Sequence, residues 1–265
     1  MTVRLDEMSW PEIKEVLGKP NAVVLPMGST EEHGAHLPVN IDTFAATYIA
    51  EHAAQKVVDE HKICVLVAPT INYTEVSHHK RFPGTIGVKA DTLIKMLTDI
   101  VGSFLHQGFK NIIALTSHSE NVPPLQVAFT MLADDHPEAN LIALNTVGLG
   151  AEERLKLLKA GIAGMGHALE VETNYALVMQ PQNVHLDRAI IGSRKLPLSE
   201  KYVGSTGSDK GKGVSYCSGI TGFEESGTFG DPTKATKEAG EKMLSIIISD
   251  LADIIVQAVK KDEVS

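Results

Sequence analysis

Only two cysteines, Cys64 and Cys217, and a single tryptophan, Trp10, occur among 265 residues. Two thiols cannot staple a chain of this size, and Cys64 lies in the apolar run Ile63 to Ala68, where a buried free thiol is expected. So sparing a use of cysteine points to a reducing, cytoplasmic setting. Basic clusters are missing too. With 24 Lys and Arg against 33 Asp and Glu the formal net charge is −9, which argues against nucleic acid or an anionic membrane surface as a partner. No stretch approaches the roughly 18 consecutive apolar residues of a membrane span. The opening MTVRLDEMSW carries acidic residues where a leader would be apolar, so no leader is expected. Internal repeats and low-complexity tracts are absent as well. At 43% hydrophobic and 22% charged residues, the composition is that of a globular chain, long enough for a single domain over residues 1–265.

The periodicities alternate between strand and helix. Trp10-Pro11-Glu12 starts a helix that stops at Gly18, and Ala22 to Leu25 is a first strand. Thr43 to His61 is an alanine-rich amphipathic helix. The runs at Ile63 to Ala68, Asn111 to Leu115 and Asn140 to Leu144 lack alternation, as strands covered on both faces do. Leu93 to Leu105 repeats apolar residues at three and four, and Gly108 closes that helix. Glu152 to Lys159 and His167 to Met179 read as helices, and Asn183 to Ser226 as irregular loops rich in glycine and serine. Asp231-Pro232-Thr233 starts a C-terminal helix. This order predicts an α/β fold with a mostly parallel sheet covered by helices on both faces.

Two polar clusters follow strand ends, where ligands bind in such sheets. The first packs Glu31, Glu32, His33, His36 and Asp42 into the loop after the first strand. The second, Thr116-Ser117-His118-Ser119-Glu120-Asn121, follows the Asn111 strand. In extended chain, residues two apart point the same way, so Glu31 with His33, and His118 with Glu120, can face one pocket while Glu32 looks elsewhere. Together with Asp42 they make five candidate ligands for a hard or borderline divalent ion such as Zn, Mn or Fe. Three carboxylates and two imidazoles exceed one zinc, so two ions sharing a carboxylate are expected. His36 orients a ligand or is structural. His167, after three nearby glycines, is a candidate general acid or base.

The segments PMGSTEEHGAHLPVNID (Pro26 to Asp42), HKRFPGT (His79 to Thr85), SHSEN (Ser117 to Asn121), HALEVET (His167 to Thr173) and GDPTKAT (Gly230 to Thr236) resemble those of the creatininase, or creatinine amidohydrolase, family. That resemblance implies a three-layer α/β/α sandwich and a homo-oligomer, commonly a hexamer. It also implies that Glu31, Asp42 and His118 hold one ion, that His33, Asp42 and Glu120 hold the other, and that His167 transfers protons with Glu172 beside it. His36, His79 and Ser119 become candidates for substrate contact. The family reaction is attack of water, activated by the ions, on a carbonyl of a small polar substrate. Creatininase proper surrounds its flat substrate with tryptophans, whereas Trp10 lies far upstream, Ser119 replaces an aromatic residue, and Ala163, Gly164 and Met165 would line a wider pocket. These departures favour ring opening of an inositol-derived ketone, a carbon–carbon hydrolysis. The alternatives are carbon–nitrogen hydrolysis of a creatinine-like amide or a formamide, and a non-catalytic, metal-stabilised binding module.

Overall fold

A computed structural model describes residues 2–192, 201 and 226–261. Helix α1 (Trp10–Leu17) begins at a reciprocal cap in which the Ser9 amide donates to Glu12 Oε2 at 2.7 Å, satisfying a donor that a helix start leaves unpaired. Then come β1 (Asn21–Met27), α2 (Ile41–His61), β2 (Cys64–Val67), α3 (Ala90–Gln107), β3 (Asn111–Thr116), α4 (Val122–Asp135), β4 (Asn140–Asn145), α5 (Ala151–Leu155), α6 (Glu170–Met179) and α7 (Lys237–Lys261). Gly108 ends α3 with φ 101°, a left-handed conformation that glycine adopts without steric cost.

The four strands form one sheet in the order β2-β1-β3-β4, every pair parallel. Alternation along each strand divides its side chains between two cores. Ala22, Val24, Ile113 and Leu115 pack with α2, α6 and α7 on one face, while Val23, Leu25, Ile112 and Ala114 pack with α1, α3 and α4 on the other. Strands with both faces buried read as unbroken apolar runs, hence the lack of polar alternation in the sequence.

Four expectations are corrected. No helix is expected between the Asn121 cluster and the Asn140 strand, yet α4 lies there; Pro123 and Pro124 both sit in its first turn, where no amide hydrogen bond is lost. Helix α6 starts only at Glu170, so His167 stands in the loop before it, next to Ala168 at φ 53°. Asp231 does not open α7: its carboxylate accepts from the Thr233 amide at 2.9 Å and caps the start of a separate one-turn 3-10 helix at Pro232–Lys234. Cys64 is half-buried, at the exposed start of β2. The irregular stretch after Asn183 lies mostly outside the described residues, as does Cys217. No helix among the described residues is long and apolar enough to cross a membrane.

Candidate metal centre

Strand β1 is followed in chain order by β2 on one side and β3 on the other, so the chain reverses its direction of winding at β1. Such switch points open a crevice at the carboxyl ends of the strands. Met27 and Thr116, the last residues of β1 and β3, are register partners, and this brings the two polar loops together. The turn out of β1 runs against the start of α2. A side chain at Gly28 would place its first carbon 2.3 Å from both N and Cα of Thr43, far inside van der Waals contact. Gly28→Ala is therefore expected to push α2 away, costing about 1–3 kcal/mol of stability and, because Asp42 rides on that turn, on the order of 100-fold in turnover. Thermal melts and initial rates on one preparation check both figures.

Asp42, in the first turn of α2, lies between two imidazoles. Its Oδ2 is 3.2 Å from His118 Nδ1 and its Oδ1 3.6 Å from His33 Nε2. Ser29 Oγ donates to Oδ2 at 2.7 Å. Glu31 Oε1 stands 3.3 Å from His118 Nδ1 and 3.8 Å from His33 Nε2, and Glu172 Oε2 is a further 3.8 Å from that nitrogen. Two ligands at about 2.0–2.2 Å from one tetrahedral ion are themselves about 3.3–3.6 Å apart, so these separations fit the edges of an ion's coordination shell. Among the described residues, Glu31 Oε2 and His33 Nε2 are buried without a hydrogen-bond partner, an expensive arrangement unless something else engages them.

The outward nitrogens are fixed by the backbone. His33 Nδ1 bonds the Glu31 carbonyl at 3.1 Å, and His118 Nε2 bonds the Glu75 carbonyl at 2.8 Å. Each ring then donates to a carbonyl and turns its other nitrogen to the carboxylates, as ligating histidines do. Among the described residues four groups of three qualify as ligand sets: Glu31 with Asp42 and His118, and His33 with Asp42 and Glu172, which share Asp42, and besides them Glu31 with His33 and His167, and Glu32 with His79 and His167. Burial works against every charge here, and mutual pairing decides the outcome. Burial raises the Glu31 carboxyl, but His118 and His79 outweigh it and bring it down to about 2. Asp42 likewise lies well below the carboxylate range, through His33 and His118. Burial depresses His33, yet Asp42, Glu172 and Glu31 lift it to about 10, and His118 is raised well above its usual value by Glu31 and Asp42. Glu172 goes the other way, up to about 8, chiefly by burial.

Glu120 does not face this group. Residues Ser119–Asn121 form a 3-10 turn, in which residues two apart diverge, so the extended-chain expectation for His118 and Glu120 fails. The Glu120 carboxylate pairs with His78 Nδ1, and its Oε2 is 3.4 Å from the outward Nε2 of His118. Glu172 accepts from the Ala168 amide at 2.6 Å and reaches toward His33 rather than His167. His36 is fully buried, bonded through Nε2 to Thr173 Oγ1 at 3.0 Å, a position that offers no surface to a substrate. Ser119 is exposed and accepts from Asn145 Nδ2 at 3.3 Å. Met165 is partly buried and packs against the core of α2, α6 and α7.

His167 and His79 are buried beside the carboxylates, with His167 Nδ1 at 3.5 Å and His79 Nε2 at 4.0 Å from Glu31 Oε1. Phe229 meets the His167 ring at a centroid distance of 5.5 Å. Burial, then His79 and His33, lower His167 to about 4. Glu32 was expected to point away. The loop after β1 is irregular rather than extended, and Glu32 turns inward, where Oε1 meets His79 Nδ1 at 2.9 Å and His167 Nε2 at 3.2 Å. Only the charge itself, a second glutamate in an apolar-flanked loop, hinted at this.

A family profile described as Creatininase, creatinine amidohydrolase, matches residues 6–255. The mycofactocin precursor peptide peptidase of Mycolicibacterium smegmatis is 27% identical over 88% of this chain and 83% of its own. The 3-dehydro-scyllo-inosose hydrolase of Thermotoga maritima is 26% identical over 96% of this chain and 82% of its own. Among solved structures, a zinc form of creatininase superposes with a TM-score of 0.79 at 20% identity, covering 97% of this chain and 98% of the other. A manganese form does so at 0.76 and 22%, with the same coverage. At such identities the structural likeness speaks to fold alone.

Proposed function

The chain belongs to the creatininase family, whose members are metal-dependent hydrolases, and from that premise we propose that it hydrolyses a small, hydroxyl-rich cyclic ketone at a carbon–carbon bond. The observation that carries this reading is the likeness to the inosose hydrolase along 264 aligned residues. The aromatic-poor surroundings agree with it: the single tryptophan, Trp10, is 74% exposed at the start of α1, so no indole is on hand to stack a flat ring. Carbon–nitrogen hydrolysis is the second reading, favoured by the comparable likeness to the peptide peptidase.

We assign one ion to Glu31, Asp42 and His118. The other falls to His33 and Asp42, completed by Glu172, which stands in range, or by Glu120 once its side chain turns from His78. Bound there, divalent ions such as zinc or manganese acidify a water and polarise a carbonyl oxygen. The protein's own part is to hold Asp42 between two imidazoles, to keep the floor of the site dry through buried Glu31 and His33, and to move protons through His167. With Nδ1 facing Glu31, the His167 ring takes a proton from the attacking water and returns it to the departing carbon or nitrogen.

A proton NMR time course with zinc- or manganese-loaded protein on keto-inositols, creatinine and a formamide, with and without chelator, tests the substrate. Ring opening of a keto-inositol that stops on chelation is the expected result, and turnover of creatinine or the formamide alone would put the carbon–nitrogen reading in its place.

Ion binding is also expected to release protons. Without an ion, His33 and His118 are protonated at pH 7, since both are held above their ordinary values; a ligating imidazole must be neutral, so each ion displaces at least about one proton, and the ion on the His33 side a second where Glu172, held up at about 8, is its ligand. Affinity then weakens at least about tenfold per site for each pH unit lowered. Calorimetric titrations at pH 7 in buffers of different ionisation enthalpy measure this release, and a heat independent of buffer would contradict it.

A further inference from the structure

We propose that Glu32 is a positioning residue: its Oε1 accepts a hydrogen bond from His79 Nδ1 and from His167 Nε2 together, and so holds the His167 ring with Nδ1 turned to the carboxylates. The proposal rests on the reading of His167 as the proton-transfer group. A carboxylate has only acceptors to offer, so a ring nitrogen 3.2 Å from it in hydrogen-bond geometry carries the proton. The opposite nitrogen of His167, 3.5 Å from Glu31 Oε1, is left to exchange protons with a substrate. Which ring nitrogen is protonated follows from the bond the other one makes.

The carboxylate is clamped on all sides. Its Oε2 accepts from the Gly34 amide at 2.8 Å, and the Glu32 amide donates to Thr85 Oγ1 at 3.0 Å. A side chain at Gly227, itself at φ 67°, would come within 2.0 Å of Oε2, so the backbone there presses directly on the carboxylate. The two rings it holds pack against each other, His79 and His167 at a centroid distance of 4.1 Å and His33 and His167 at 4.5 Å. A ring so packed does not swing to recover a lost partner. His79 thereby becomes the other donor of a shared acceptor, a role distinct from the substrate contact expected of it.

Glu32→Gln is nearly isosteric but has one carbonyl oxygen where the carboxylate has two. That oxygen can serve the Gly34 amide or the ring pair, and the amide NH2 then faces N–H donors on the other side. The test is long-range 1H–15N correlation on full-length, zinc-loaded protein labelled at histidine. In the native chain His167 is expected to show a proton on Nε2 and none on Nδ1. In Glu32→Gln that pattern is expected to be lost, with kcat lowered on the order of 10- to 100-fold while KM and zinc content stay near native. A proton on Nδ1 of His167 in the native protein overturns the proposal without need of any variant, as does an unchanged His167 pattern in Glu32→Gln. If no substrate is turned over but the native and variant patterns appear as expected, the positioning role stands and the reaction assigned above fails.

Discussion

Asp42→Ala is expected to strip the protein of divalent ions and to lower kcat/KM on the order of 10⁴-fold or more. Asp42 is 3% exposed, and its two oxygens face the inner nitrogens of different imidazoles, His118 at 3.2 Å and His33 at 3.6 Å. Removing it takes a ligand from both proposed ion sites at once. Without an activated water the reaction must use bulk water, whose pKa lies about 9 units above that of an ion-bound one. The ion-free protein suffers as well, because two buried cationic rings then lose one of the two carboxylates that lie between them, Glu31 remaining, and breaking a buried pair costs about 3–5 kcal/mol. Asp42→Asn, which keeps the shape and the contact with Ser29, separates loss of folding from loss of ions. Elemental analysis of both variants beside kcat/KM checks the prediction, and ions retained at native stoichiometry in both would contradict it.

His167→Ala is expected to leave ion content at native level and to lower kcat by about 10²- to 10⁴-fold, the usual worth of a placed general acid–base. The two effects separate because the ring nitrogens of His167 face Glu31 and Glu32, at 3.5 and 3.2 Å, and neither is bonded to Asp42. Burial beside His79 and His33 lowers His167 to about 4, so in the ion-free protein the ring is neutral at pH 7 and ready to accept a proton. Steady-state kinetics and elemental analysis on the same samples measure both halves. Turnover near native would remove His167 from the mechanism.

The fold was largely legible because buried parallel strands leave an unmistakable trace. ICVLVA, and NIIAL after its opening Asn111, are unbroken apolar runs, and each follows a helix. Legibility failed where local chemistry has two meanings. Pro123-Pro124 breaks a helix in its middle and suits one at its start, and only the preceding 3-10 turn, invisible in composition, decides between them. The site was legible to the extent that β1 and β3 are neighbours, which sets Glu31, His33, Asp42 and His118 around one point. Glu120 and Glu32 were misread for one reason: both directions were inferred from the two-residue period of extended chain, and both residues lie in loops that are not extended. The bond between Glu32 and His167 spans 135 positions, a distance no local pattern records.

The proposed reaction requires that the carboxyl ends of β1 and β3 hold divalent ions on Glu31, Asp42 and His118. The measurement that tests it most directly is anomalous diffraction from metal-soaked crystals, recorded on either side of the zinc and manganese absorption edges. A peak is expected within about 2.0–2.3 Å of a Glu31 oxygen, Asp42 Oδ2 and His118 Nδ1, with a second on the His33 side of Asp42. A fully loaded, active crystal with no anomalous density between these side chains would contradict it.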